Sequence, residues 1–130
     1  MIEKISVYCG GILTLLVTLG HTRFYTLFNW KDTFEKMGVP NNKIFYTIHI
    51  ALMLTLFISG LLSIIYAKEL SKCIGISLGY CIMLSLFWLW RMIWQITYFR
   101  GDSAHIAMII AFCIIFISYT IPISIKFFKI

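Results

Sequence analysis

The stretch CIGISLGYCIMLSLFWLWRMIWQITYF, residues 73–99, decides the fold. It runs between Lys72 and Arg100, and the single charge inside it is Arg91. A helix rises about 1.5 Å per residue, and a hydrocarbon core of about 30 Å is crossed by roughly 20 apolar residues. The stretch is long enough and is apolar on every side. A barrel strand would be about ten residues long and would alternate apolar with polar. The reading is therefore a transmembrane helix.

Working outward, three further stretches have the same character: residues 5–22, 44–67 and 104–125. The expected architecture is all-α, a four-helix transmembrane bundle forming a single domain over residues 1–130. Composition agrees. Hydrophobic residues make up 61% of the chain and charged residues 12%, against about 25% charged in soluble domains. So few charges cannot clothe a water-facing surface, which removes a soluble enzyme, a DNA-binding domain and a disordered tail. The formal net charge of +6 does not imply nucleic acid, because the basic residues are dispersed rather than gathered into a stripe. They read as anchors at span ends, with the lipid bilayer as partner. No cleaved signal peptide and no lipidation motif is evident, so the first stretch is kept as a span.

The connection FNWKDTFEKMGVPNNK, residues 28–43, carries Trp30, Phe34 and Met37 on one helical face. Asn29 suits an N-cap, Gly38 a C-cap, and Pro40 stops continuation. A short amphipathic helix over 29–38, lying in the interface, is expected; the functional variant of that reading is a lid. The other two connections are AKELSK and the tight polar turn Arg100-Gly101-Asp102-Ser103.

Four spans put both termini on one side, A. Lys4, Lys68, Lys72, Lys126 and Lys129 then lie on side A, and Arg23, Lys31, Lys36, Lys43 and Arg100 on side B. The positive-inside count is tied. The expectation is a plasma (inner) membrane protein with cytoplasmic termini, and the tie leaves dual topology open. Cys9, Cys73, Cys81 and Cys113 form no CxxC pair and read as small hydrophobes rather than a thiol-oxidising centre.

The polar residues do not scatter. Span direction places His21, His49, His105 and the B-half residues Arg91, Gln95 and Tyr98 at the same end of the bundle. Arg91 is nine residues from Arg100, about 13 Å along the axis. No Asp or Glu lies inside any span. A cation at that depth costs at least a few kcal/mol unless it is paired or snorkels, so Arg91 marks a site by default. Phe87, Trp88, Arg91, Trp94, Gln95 and Tyr98 share one side of the third span. Trp94 is placed for a cation–π contact with Arg91, and Gln95 to share its ligand. The bland alternative for Trp94 and Tyr98 is an interfacial aromatic belt; His105 can equally be a boundary residue beside Asp102. Small residues on span one (Gly10, Thr14, Thr18) and span three (Ser71, Gly75, Gly79) are expected to pack those spans together and bring His21 towards Arg91.

The candidate ligand-binding set is thus His21, His49, Trp88, Arg91, Trp94, Gln95, Tyr98 and His105. It suits a hydrophobic or anionic amphipathic small molecule: a quinone, an isoprenoid or a lipid headgroup. Arg91 and Gln95 would hold oxygens, and the histidines would hydrogen-bond or shuttle protons. If the protein is an enzyme, histidine is its intramembrane acid or base. The alternatives are a single haem b held by histidines, a small oligomeric anion transporter or channel, and a structural subunit of a larger membrane complex. A di-iron carboxylate site is excluded by the missing glutamates, and no metal ligand set is assigned.

Overall fold

The structure, a computed structural model, describes residues 1–99, 101 and 103–128. Expectations that fall on Arg100, Asp102 and Lys129 lie outside the described residues. Among these residues the helices are, in order, α1 (Ile2–His21), α2 (Phe24–Leu27), α3 (Trp30–Met37), α4 (Asn41–Ile65), α5 (Ala67–Leu70), α6 (Ile76–Tyr98) and α7 (Ser103–Phe128). Among the described residues, four of these are long and apolar enough to cross a membrane: α1, α4, α6 and α7. They are the four spans read from the sequence. α6 starts three residues later than expected, because α5 and a turn take up the connection.

The spans run up and down. At one end the rings of His21 on α1 and His49 on α4 lie 6.0 Å apart. Towards the other end, Gly11 of α1 meets Gly60 of α4. Helices α6 and α7 are antiparallel in the same way: Gln95 reaches His105, while Ser85 reaches Thr120. Chain order therefore puts the start of α1 and the end of α7 at one end of the bundle, the A end.

The packing order differs from the sequence expectation. The close pairs are α1–α4, α1–α7 and α6–α7; α1 and α6 are not among them. The small face of α1 is taken by other partners. A Cβ on Gly10 would sit 3.0 Å from the Tyr119 ring of α7, and one on Gly11 3.0 Å from the Gly60 carbonyl of α4. Glycine at both positions lets α1 lie close against two helices at once. Gly75, the residue before α6, and Gly79 on it have nothing within 4 Å of a built Cβ. That seam is unused, so α1 and α6 stand diagonally across the bundle.

Several hydroxyls inside the spans are satisfied within their own helix. Thr14, Thr18, Ser63 and Thr120 each donate to the carbonyl four residues back, at 2.7–2.8 Å. This is the ordinary solution for a hydroxyl where no water is at hand. The Tyr119 hydroxyl donates to Ser63 Oγ, and the Tyr80 hydroxyl to the Ser59 carbonyl, each at 2.8 Å, tying α7 and α6 to α4 in the A half.

The connection between α1 and α4 folds as the amphipathic helix expected, α3, preceded by the single turn α2. Phe34 is buried, and its ring lies 4.6 Å from Tyr46 and 5.0 Å from Phe45. Gly38 ends α3 with φ 68° and ψ 171°, a conformation that glycine alone adopts without strain. Asn29 occupies the N-cap position but does not cap: its backbone is left-handed (φ 46°), and its side-chain amide donates to Asp32 Oδ2 at 2.7 Å. That bond, from a neutral amide to a carboxylate in the first turn, is charge-assisted.

Candidate functional site

Arg91 sits half-buried on α6, with its guanidinium 5.1 Å from the centre of the Phe112 ring on α7. Among the described residues no carboxylate pairs with it. The ion pair present joins the Met1 amino group to Glu3 at the far end of the bundle. A guanidinium carries its charge at any accessible pH. Among the described residues its surroundings are an aromatic face and two open clefts.

The two clefts adjoin. One, about 450 Å³, lies between α4 and α6 and is lined by His21, Phe24, Trp30, Phe45, Ile48, His49, Leu52, Phe87, Trp90, Arg91 and Phe99. The other, about 360 Å³, lies beneath α2 and α3 against α6 and α7, with Phe28, Thr33, Gln95 and Met108 in its walls. Phe24, Trp30, Arg91 and Phe99 belong to both. The larger cleft exists because α4 and α6 are not a close-packed pair, although Tyr80 joins them in the A half.

His21, His49 and Arg91 therefore meet in one cleft, the convergence expected from span direction. They reach it by a different route: Arg91 faces His21 across the diagonal of the bundle, not along a shared seam. His21 is buried and its Nδ1 lies 2.8 Å from the Val17 carbonyl. A carbonyl only accepts, so Nδ1 carries the proton. In the neutral ring Nε2 is then the free acceptor. His49 lies under Trp30, whose ring meets it edge-on at 4.7 Å. The Phe24 ring lies tilted against His21 at 4.4 Å. Together, α2 and α3 cover the imidazoles from the B end with aromatic rings.

The remaining candidates divide. Gln95 is buried, lines the smaller cleft and donates its amide to His105 Nδ1 at 3.2 Å. His105 thus stands behind Gln95 and outside the lining of both clefts. Trp88 is 1% exposed and packs in the core 5.4 Å from Phe112, and its Nε1–H has no partner among the described residues. It lines neither cleft. Trp94 and Tyr98 are exposed and continue a ladder from Trp90, with ring separations of 5.6 and 4.1 Å. They stand where a lipid-facing belt stands, and the ring over which Arg91 lies is Phe112, not Trp94. Helical geometry gives the reason. At 100° per residue the face from Trp94 to Trp88 spans an arc of about 120°. Arg91 occupies its middle, Trp88 and Gln95 one edge towards α7, and Trp94 the other edge towards the exterior.

Sequence reasoning missed the aromatic walls. Phe24, Trp30, Phe45 and Phe99 come from separate elements, and Phe112 partners Arg91 from another helix; no spacing rule connects them. Trp90, which lies off the side that carries Arg91, is half-exposed and also lines the larger cleft. A second unforeseen meeting lies at the A end. Cys73 and Cys81 are both buried, with their sulfurs 3.6 and 3.7 Å from the Leu70 carbonyl. Cys73 has φ 46°, a left-handed turn that folds the chain back before α6.

Fold and site together define a multi-pass helical membrane protein with a cationic, histidine-bearing cleft at one end of the bundle. No family model, no curated protein and no solved structure matches the chain.

Proposed function

We propose that the protein binds an amphipathic ligand, a quinone, an isoprenoid or a lipid headgroup, in the cleft around Arg91, His21 and His49. One observation carries this reading: a half-buried guanidinium with no carboxylate partner among the described residues opens onto apolar clefts beside two imidazoles. A cation in that position gains more from an oxygen-bearing head than from any neighbour it has. Aromatic and aliphatic walls suit the rest of the molecule. The free Nε2 of His21 and the ring of His49 supply hydrogen bonds, and proton transfer if chemistry follows. The setting proposed is the plasma (inner) membrane, with the termini in the cytoplasm.

The test is mass analysis of small molecules that co-purify with the detergent-solubilised protein. Wild type retains a ligand, Arg91→Lys retains part of it and Arg91→Leu none. Equal retention by wild type and Arg91→Leu refutes the reading and makes Arg91 a snorkelling anchor. A second reading, a b-type haem, is favoured by the 6.0 Å separation of two histidine rings from different helices. A Soret band in the purified protein, lost in both His21→Ala and His49→Ala, would establish it.

A further inference from the structure

We infer that the ligand is an anionic membrane lipid that enters sideways from the leaflet, between α4 and α6, and sets its acidic head against Arg91. The inference rests on the ligand-binding reading above and narrows it in charge and in route.

Charge is the first argument. The clefts carry one fixed positive charge, and no acid among the described residues offsets it. A neutral head, such as a quinone carbonyl, would leave that charge uncompensated in surroundings of low polarity. A phosphate or carboxylate cancels it and accepts two parallel guanidinium hydrogen bonds. The other polar residues in the lining, His21, His49, Thr33 and Gln95, add no negative charge.

Route is the second. Ile48 on α4 and Trp90 on α6 line the larger cleft, yet are 62% and 52% exposed. The same side chains thus belong to the cleft and to the outer face of the bundle, so the mouth opens where acyl chains lie. At the B end, the water side, Phe24 and Trp30 cover the histidines. Lys31 and Lys36 are exposed on α3, so that roof sits at headgroup level with its charges outward. An ion arriving from water meets an aromatic cover, whereas a lipid meets an open side. The second cleft, adjoining at Arg91, gives a head seated there an apolar space on either hand. A lipid with two chains suits this shape.

The experiment uses delipidated full-length protein in neutral detergent, as wild type, Arg91→Lys and Arg91→Leu, each first shown to be monodisperse and helical. Binding is read by native mass spectrometry and by tryptophan fluorescence. The probes are dioleoyl phosphatidic acid, dioleoylglycerol with the same chains and no charge, a ubiquinone, and inorganic phosphate. Phosphatidic acid binds wild type at least about tenfold more tightly than dioleoylglycerol or the ubiquinone, as one charge-assisted contact gives. Arg91→Lys keeps that preference, Arg91→Leu erases it, and inorganic phosphate fails to compete. If dioleoylglycerol or the ubiquinone binds as tightly and still depends on Arg91, the anionic lipid is wrong and the broader reading stands. If inorganic phosphate competes, the site takes ions from water and the lateral route is wrong. If no probe responds to Arg91→Leu, both readings fall.

Discussion

Arg91→Met should make the ligand-free protein more stable while abolishing its binding. The magnitude follows from depth and partners. Arginine at the centre of a membrane helix costs about 2.5–3.5 kcal/mol on insertion scales. Arg91 lies seven residues from the end of α6 at Tyr98, about 10 Å, so it is short of the centre but well inside. It is half-buried, and the Phe112 ring at 5.1 Å returns on the order of 1 kcal/mol. In the unfolded, still inserted chain the side chain is free to snorkel, which removes a further part of the difference. The net expectation is a gain of about 1 kcal/mol for a linear apolar replacement of similar length. Equilibrium unfolding of delipidated protein in mixed micelles measures it, with ligand retention read on the same samples. Loss of about 1 kcal/mol or more in Arg91→Met would refute the reasoning: the guanidinium would then be a paired structural cation, and the lack of an acid beside it would carry no functional meaning.

Gly60→Ala should cost about 1–3 kcal/mol, because its Cβ would stand 2.8 Å from Leu15 Cγ and 3.1 Å from the Gly11 carbonyl; a neutral result in the same unfolding assay would disprove the close α1–α4 approach. Tyr119→Phe keeps the ring over Gly10 and loses only the hydroxyl donated to Ser63, so a cost of about 0.6 kcal/mol, and not above about 1.7, is expected. Trp94→Leu should leave ligand retention unchanged, since Trp94 lines neither cleft, whereas Trp30→Leu should speed ligand release by opening the aromatic cover; equal release from both variants would contradict the roof. Burial pushes the Cys73 thiol above its ordinary value of 9.0, despite opposing effects of Cys81 and Lys126. Its protonated form is thus favoured in the folded state, a stabilisation complete below pH 9 and lost as pH rises further. Thermal melting followed from pH 8 to about 10.5 should show that decline, and Cys73→Ala should shallow it; an unchanged slope would count against the buried thiol.

What could be read from the chain was what depends on one helix at a time. The spans follow from length and apolarity. The meeting of His21, His49 and Arg91 at one end follows from counting spans, because alternating direction fixes which end each residue reaches. The order of helices around the bundle was not legible. The sequence offered two small-residue faces, on α1 and α6, and a contact between them was the natural expectation. That face of α1 went instead to Tyr119 over Gly10, while the adjacent Gly11 met Gly60. Neither partner is marked by spacing, since a glycine shows where a neighbour can approach and not which one does. The same ignorance of neighbours hid Phe112 from Arg91 and Cys73 from Cys81. It also shaped the site. Had α1 and α6 packed through their glycines, Arg91 and His21 would have been pressed together with no room for a third body. Because α1 chose α4 and α7, α6 is held across the bundle and a cleft remains in front of Arg91. The close contacts in the A half and the open cleft in the B half are thus two consequences of one packing choice. A bulky residue at Gly79 should consequently be tolerated, and one at Gly11 should disturb the cleft about 15 Å away, with no change made to any residue that lines it.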